Sequence, residues 1–414
     1  MIETTTHTEL LVVTIGGIVI LALLIKAVFS RLHLPSLIGY ILIGFLFGIA
    51  DRKWGFMTGA AQSVFDLFSK LGVIALLFGV GLKSHFRKLL GYFRSASFVW
   101  IGNIIVSGLA GFFAGRLLGF DLIPSLIIGV AMTATSVGVS ANVWEDAGAI
   151  ESDDGQRFVD VAEMDDISGI VFMVILFSLL PQLQKNAGAE NISAPLAASG
   201  AVWTVVKTTG LALGKLALFS MICFFFARYA EKPLIRFFSK NEPPTDAVIS
   251  IISLGIIIAG VAGLMGFSVA IGAFFAGLAL SKNRDVVEDR TPFITVRDLF
   301  VPFFFVSIGF GVDIGSLENV WLPALALLVL AFAGKFIGTT VPALRFSGWG
   351  RASVLGLSMV PRAEITMIIM AHGRQMGNWA VTPALYSAMV LVVLASCILT
   401  PPLLKALILR YSKK

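Results

Sequence analysis

The sequence predicts an all-α polytopic membrane protein of thirteen transmembrane helices arranged as two inverted-topology repeats. Three observations lead there. Of its 414 residues 57% are hydrophobic and 14% charged, and the mean hydropathy is +0.91. Apolar runs close to the ~20 residues needed to cross a bilayer fill nearly the whole chain and leave no room for a soluble domain. Basic residues collect at alternate breaks between those runs, and two stretches near the N-terminus recur far downstream.

The spans read, in order, 9–29, 35–50, 64–83, 95–117, 124–142, 158–180, 203–228, 245–265, 267–281, 297–314, 320–343, 352–371 and 380–408. Polar or proline-bearing punctuation separates them, as in NEPPTD at 241–246 and SKNRDVVEDRTP at 281–292. No basic cluster precedes the first run and no cleavage site follows it, so it reads as a retained span rather than a signal peptide. If the C-terminus is cytoplasmic, 21 lysines and arginines fall on the cytoplasmic side and six on the other. The positive-inside rule then places the N-terminus outside and the C-terminus inside. An odd span count is what makes that alternation close.

IGYILIGF at 38–45 returns as IGAFFAGL at 271–278, and DLFSKLGVIALLFGV at 66–80 returns as DLFVPFFFVSIGFGV at 298–312. The two offsets, 233 and 232, agree in register. They pair the second span with the ninth and the third with the tenth. Seven spans is an odd number, so the copies run in opposite directions, the arrangement of many secondary transporters.

The same pairing matches the fifth span with the twelfth, and both make poor continuous helices. AMTATSVGVSANVW (131–144) is rich in small hydroxylated residues, and LSMVPRAEITMIIM (357–370) carries Pro361, Arg362 and Glu364 in mid-span. Proline removes a backbone donor and clashes with the preceding turn, and freed backbone groups survive in a membrane only inside protein or beside water. Both segments are expected to unwind and cross.

The sixth span holds the chemistry. VAEMDDISGIVFMVILF sets Asp165 and Asp166 side by side in an apolar helix, with Glu163 just before them. Each carboxylate costs roughly 2.5–3.5 kcal/mol at a helix centre, and neighbours on a helix point about 100° apart. One can face a partner while the other faces a wet cavity, which suits exchange of a cation for protons. An interfacial cap is the competing reading, since Asp153, Asp154 and Asp160 lie nearby. Lys335 sits about fifteen residues into an apolar span, too deep to snorkel. Asp165 or Asp166 is its natural partner, and Arg362 is expected to pair with Glu364 or Glu163.

Other classes find little support. Cys223 and Cys397 lie in apolar runs, and the four histidines show no ligand spacing, so neither a disulfide framework nor a metal centre is indicated. The net charge of +6 reads as loop anchors rather than a nucleic-acid surface. No nucleophilic triad or complete phosphate loop is readable, and no enzyme is expected. A channel and an organic-anion carrier are the remaining transport readings; paired aspartates disfavour the second.

PSLIGYILIG (35–44), ATSVGVSA (134–141), the Asp165–Asp166 pair, GKFIG (334–338) and MVPRAE (359–364) together resemble the monovalent cation:proton antiporter superfamily, in particular the NapA-like and NhaA-like sodium/proton antiporters. The resemblance implies that Asp166 binds the ion, and that Asp165 pairs with Lys335. It implies that Thr135 and Ser136 form one helix crossover, and that Pro361, Arg362 and Glu364 form the other, supported by Glu163. Ala363 stands where the family pattern has glycine. An Asp-Asp pair goes with electrogenic exchange of two protons per Na+, with Asp166 and Asp165 as the Na+ ligands. The implied cargo is Na+ (or Li+ or K+) and H+, with no cofactor; a K+/H+ antiporter is the alternative. Residues 95–180 and 315–414 would form a core that moves like an elevator, and 1–94 and 181–314 a dimerising scaffold. A homodimer in the lipid bilayer of a prokaryotic inner (plasma) membrane follows from the same resemblance, with no nucleic-acid partner.

Overall fold

Fifteen α-helices and no strand make up the described part of the chain. The computed structural model describes residues 2–32, 34–55, 57, 59–83, 93–187, 199–230, 244–280 and 291–412. The helices are α1 Ile2–Arg31, α2 Ser36–Trp54, α3 Gly59–Lys83, α4 Phe93–Leu117, α5 Leu122–Ala131, α6 Val137–Asp146, α7 Asp153–Ala187 and α8 Ser199–Phe225. They continue with α9 Pro244–Leu264, α10 Val269–Leu280, α11 Thr291–Phe310, α12 Leu317–Ala343, α13 Trp349–Ser358, α14 Glu364–Met376 and α15 Pro383–Tyr411. Among the described residues six helices are long and apolar enough to cross a membrane, and four apolar helical stretches of 10–17 residues are shorter than that. The charged stretches at 84–92, 231–243 and 281–290, which carry much of the orientation signal, lie outside the described residues.

The chain divides into two compact units, Met1–Phe86 with Ala217–Val312, and Arg87–Leu216 with Asp313–Lys414. In the first unit α2 packs on α11 and α3 packs on α10, and each contact is closed by a reciprocal pair of glycines. A side chain at Gly44 would overlap the Val306 carbonyl, and one at Gly309 would overlap that of Ile41. The same holds for Gly81 against Phe274 and for Gly277 against Phe78. In lipid, helices associate by van der Waals packing rather than by apolar burial, so small residues that let backbones touch decide where they meet. Around these contacts Phe65 and Phe68 pack on Phe303 with ring centroids 6.3 and 5.0 Å away. At one end of this unit Lys26 pairs with Asp298 at 2.5 Å.

In the second unit α4 and α12 lie against each other through Gly102 and Gly338. A Cβ on either would stand 3.0 Å from the carbonyl oxygen of the other. α5 and α15 flank this pair, and a buried apolar cluster that includes Trp144, Phe158, Leu355, Met359 and Leu404 closes one side. The expected spans 124–142 and 352–371 are each two short helices. α5 ends at Ala131 and α6 begins at Val137; α13 ends at Ser358 and α14 begins at Glu364.

Candidate functional site

A helix that stops inside apolar surroundings leaves its last four carbonyls without intrahelical donors, and its C-terminus carries partial negative charge. α5 stops in this way at Ala131, and side chains from elsewhere take up four consecutive carbonyls. Thr366 Oγ1 donates to Ala131 at 2.9 Å. The Arg362 guanidinium donates to Met132 and, at 3.0 Å, to Ala134. Lys335 Nζ donates to Thr133, which lies between them. Two buried cations thus cap one broken helix.

The second interruption is satisfied by neutral groups from the first. Ser140 Oγ donates to the Ser358 carbonyl at 2.6 Å, and the Met359 carbonyl lies 3.1 Å from Thr135 Oγ1, whose single proton it shares with Asp165. The Ser136 backbone N–H reaches the Pro361 carbonyl at 2.7 Å. These contacts make the two interruptions meet, with Thr135 and Ser136 on one strand of the crossing and Pro361 and Arg362 on the other. This is why hydroxyl-rich sequence faces proline-bearing sequence here: one supplies donors, the other lacks them.

The adjacent aspartates of α7 diverge as helix geometry requires. Asp165 is wholly buried. Its Oδ2 accepts from Lys335 Nζ at 2.5 Å and from Thr135 Oγ1 at 2.8 Å. The Asn103 amide donates to both of its oxygens at 2.8 Å. Asp166 is 8% exposed, and among the described residues its carboxylate has no hydrogen-bond partner. The carboxylates of Glu364, Asp165 and Glu163 and the ammonium of Lys335 are its charged neighbours. One aspartate is therefore saturated by donors and the other is left open, ringed by like charge.

Every residue anticipated for the site lies at the crossing or on α7 and α12 beside it. The partner of Arg362 differs from the expectation of a carboxylate. Its Nη groups go to the carbonyls of Met132, Ala134 and, at 3.0 Å, Ala331, and Glu364 accepts instead from Ser136 Oγ at 3.0 Å. The physical reason is the unwound backbone at 132–134, whose carbonyls lack helical donors and take up the forked guanidinium. Glu364 itself sits in the first turn of α14, where the helix dipole favours an anion. Glu163 is partly buried on α7. Sequence reasoning missed Asn103 and Thr339. An asparagine in the middle of the apolar run VWIGNIIV was the available signal, since uncharged polar groups at that depth also need partners.

Known proteins match this chain. The model of the transmembrane sodium/hydrogen exchanger family matches residues 18–409. A Na+/H+ antiporter of Enterococcus hirae is 30% identical over 379 residues, covering 91% of this chain and 92% of its own. The Na+/H+-K+ antiporter GerN of Bacillus cereus is 29% identical over 384 residues, covering 91% of this chain and 90% of its own. Among solved structures, the sodium/proton antiporter MjNhaP1 of Methanocaldococcus jannaschii shares the fold with a TM-score of 0.74 at 14% identity, over 99% of this chain and 100% of that one. The chain belongs to the sodium/hydrogen exchanger family, and is an integral membrane transporter of the cation/proton antiporter class rather than an enzyme.

Proposed function

We propose that the chain exchanges Na+ for protons electrogenically, with the cation and the protons competing for Asp166, Asp165 and Lys335. The observation that carries this reading is the buried Lys335–Asp165 pair, 2.5 Å apart, beside an Asp166 with no hydrogen-bond partner among the described residues. In the proton-loaded state Asp166 carries a proton and Lys335, as ammonium, neutralises Asp165. An entering Na+ displaces the Asp166 proton and takes over Asp165. Lys335, stripped of its carboxylate in apolar surroundings, releases its own proton. One Na+ goes one way and two protons the other, so each cycle moves one net charge.

The wider architecture belongs to the same reading: thirteen spans, N-terminus out and C-terminus in, two inverted repeats, and a homodimer. The core of 95–180 and 315–414 moves as an elevator against the scaffold of 1–94 and 181–314. The reciprocal glycine contacts α2–α11 and α3–α10 support the repeat, because exchanging the second span for the ninth and the third for the tenth maps one contact onto the other. The bacterial relatives support placement in the plasma membrane of a prokaryote.

A K+/H+ antiporter is the second reading, favoured by the name of the Bacillus cereus relative. Proton efflux from reconstituted vesicles, recorded on adding Na+, Li+ or K+ with the membrane potential clamped, separates the two. Na+ is expected to drive the flux. Flux with K+ alone moves the protein to the second reading, and conductance without proton exchange contradicts both.

A further inference from the structure

α4 runs through apolar surroundings yet carries a fully buried asparagine, Asn103. Its amide nitrogen donates to Oδ1 and Oδ2 of Asp165, each at 2.8 Å. Its oxygen accepts from Thr339 Oγ1 at 3.2 Å. An ionised carboxylate can only accept, so Asp165 dictates which end of the amide carries the nitrogen, and the Thr339 hydroxyl engages the other end. Thr339 lies one turn beyond Lys335 on α12. That helix therefore supplies both the cation that pairs with Asp165 and the hydroxyl that orients its neutral partner. Trp100, one turn before Asn103, donates to Ser168 Oγ at 3.2 Å, and Ser168 in turn donates to the Asp165 carbonyl at 2.9 Å. α4 thus holds the Asp165 segment at two points.

We propose that Asn103 is a positioning residue that sets how readily a transported cation displaces Lys335 from Asp165; the assignment rests on the exchange reading above. In a low-dielectric interior the lone pairs of a carboxylate must be met, and every donor removed throws more of its charge onto the donors that stay. With Asn103 in place, Asp165 keeps two neutral donors, the amide that spans both its oxygens and the Thr135 hydroxyl, when Lys335 leaves. It stays fixed and ionised to receive the cation. Without Asn103 the anion leans on Lys335, the ion pair tightens, and an incoming cation displaces it less easily. The charged groups that act on Asp165 are Lys335 from α12 and Arg362 from the second interruption, with Asp166 beside it on α7; Glu163 from α7 and Glu364 from α14 act on Asp166. Asn103 and Thr135 are the neutral donors beside them.

The test is Na+-driven proton flux of the full chain in vesicles at one fixed pH, for the wild type, Asn103→Leu and Thr339→Val. Asn103→Leu is expected to raise the KM for Na+ about tenfold with kcat held within about twofold. Thr339→Val keeps the shape of the buried side chain and removes the donor that orients the amide, and is expected to raise KM about threefold. It carries the test alone if the leucine variant fails to fold. A purely packing role for Asn103 lowers the amount of folded protein or kcat and leaves KM unmoved. An unchanged KM in Thr339→Val, in vesicles whose wild type exchanges cations for protons, overturns the assignment of Asn103 and leaves the exchange reading standing. Absence of cation-driven flux in the wild type overturns the exchange reading itself.

Discussion

Asp166→Asn is expected to reduce Na+-driven proton flux by about 100-fold or more while leaving the protein folded. The substitution keeps the shape of the side chain and removes the titratable oxygen. Among the described residues the Asp166 carboxylate accepts no hydrogen bond, so none is lost. Repulsion from Glu364, Asp165 and Glu163 is relieved. The thermal midpoint in detergent is therefore expected to stay level or rise as transport disappears. This separation is specific to Asp166. Asp165, one residue away, accepts from Lys335, Thr135 and twice from Asn103, and neutralising it strands a buried ammonium. A variant at Asp166 that still exchanges cations for protons at the wild-type rate contradicts the site.

Arg362→Met is expected to have the largest effect on stability, about 3–5 kcal/mol. The guanidinium is 1% exposed, and it satisfies the carbonyls of Met132, Ala134 and Ala331. Methionine of similar length fills the space and satisfies none of them. The carbonyls of Met132 and Ala134, in the unwound segment, are then orphaned in apolar surroundings, where no water replaces the lost donor. Size-exclusion profiles after heating should show a steep loss of monodisperse protein relative to the wild type. A midpoint equal to that of the wild type would mean that the crossing does not depend on this cap. Arg362→Lys keeps the charge but loses the fork, and is expected to fall between the two.

The two substitutions probe parts of the molecule that differ in how far the sequence discloses them. That the chain is an all-helical membrane protein was legible because hydropathy is a one-dimensional signal that a membrane enforces strictly. The interruptions were legible for a related reason. Proline at 361 and the hydroxyl-rich run around Thr135 cannot form a plain apolar helix, and the second needs what the first can give. That Lys335 pairs with Asp165 or Asp166 followed from the cost of burying either charge alone, and the family resemblance pointed to Asp165. The capping of carbonyls 131–134 was not legible, because its acceptors are backbone atoms that every residue possesses, and the donors come from α12 and from the region around Arg362 and Thr366. Arg362 was read as a charge seeking a charge, when its planar fork in fact meets unwound backbone. Asn103 escaped notice because one asparagine in an apolar run resembles a tolerated polar residue until its two partners are seen.

The central claim is that one cation replaces two protons at Asp166 and the Asp165–Lys335 pair. The most direct test is the charge moved per Na+ in proteoliposomes, measured as the reversal potential of Na+-driven proton flux at set Na+ and pH gradients. One net charge per Na+, lost together with exchange in Asp166→Asn, is the expected result. A reversal point that does not depend on membrane potential would show one-for-one exchange and contradict the release of a proton from Lys335.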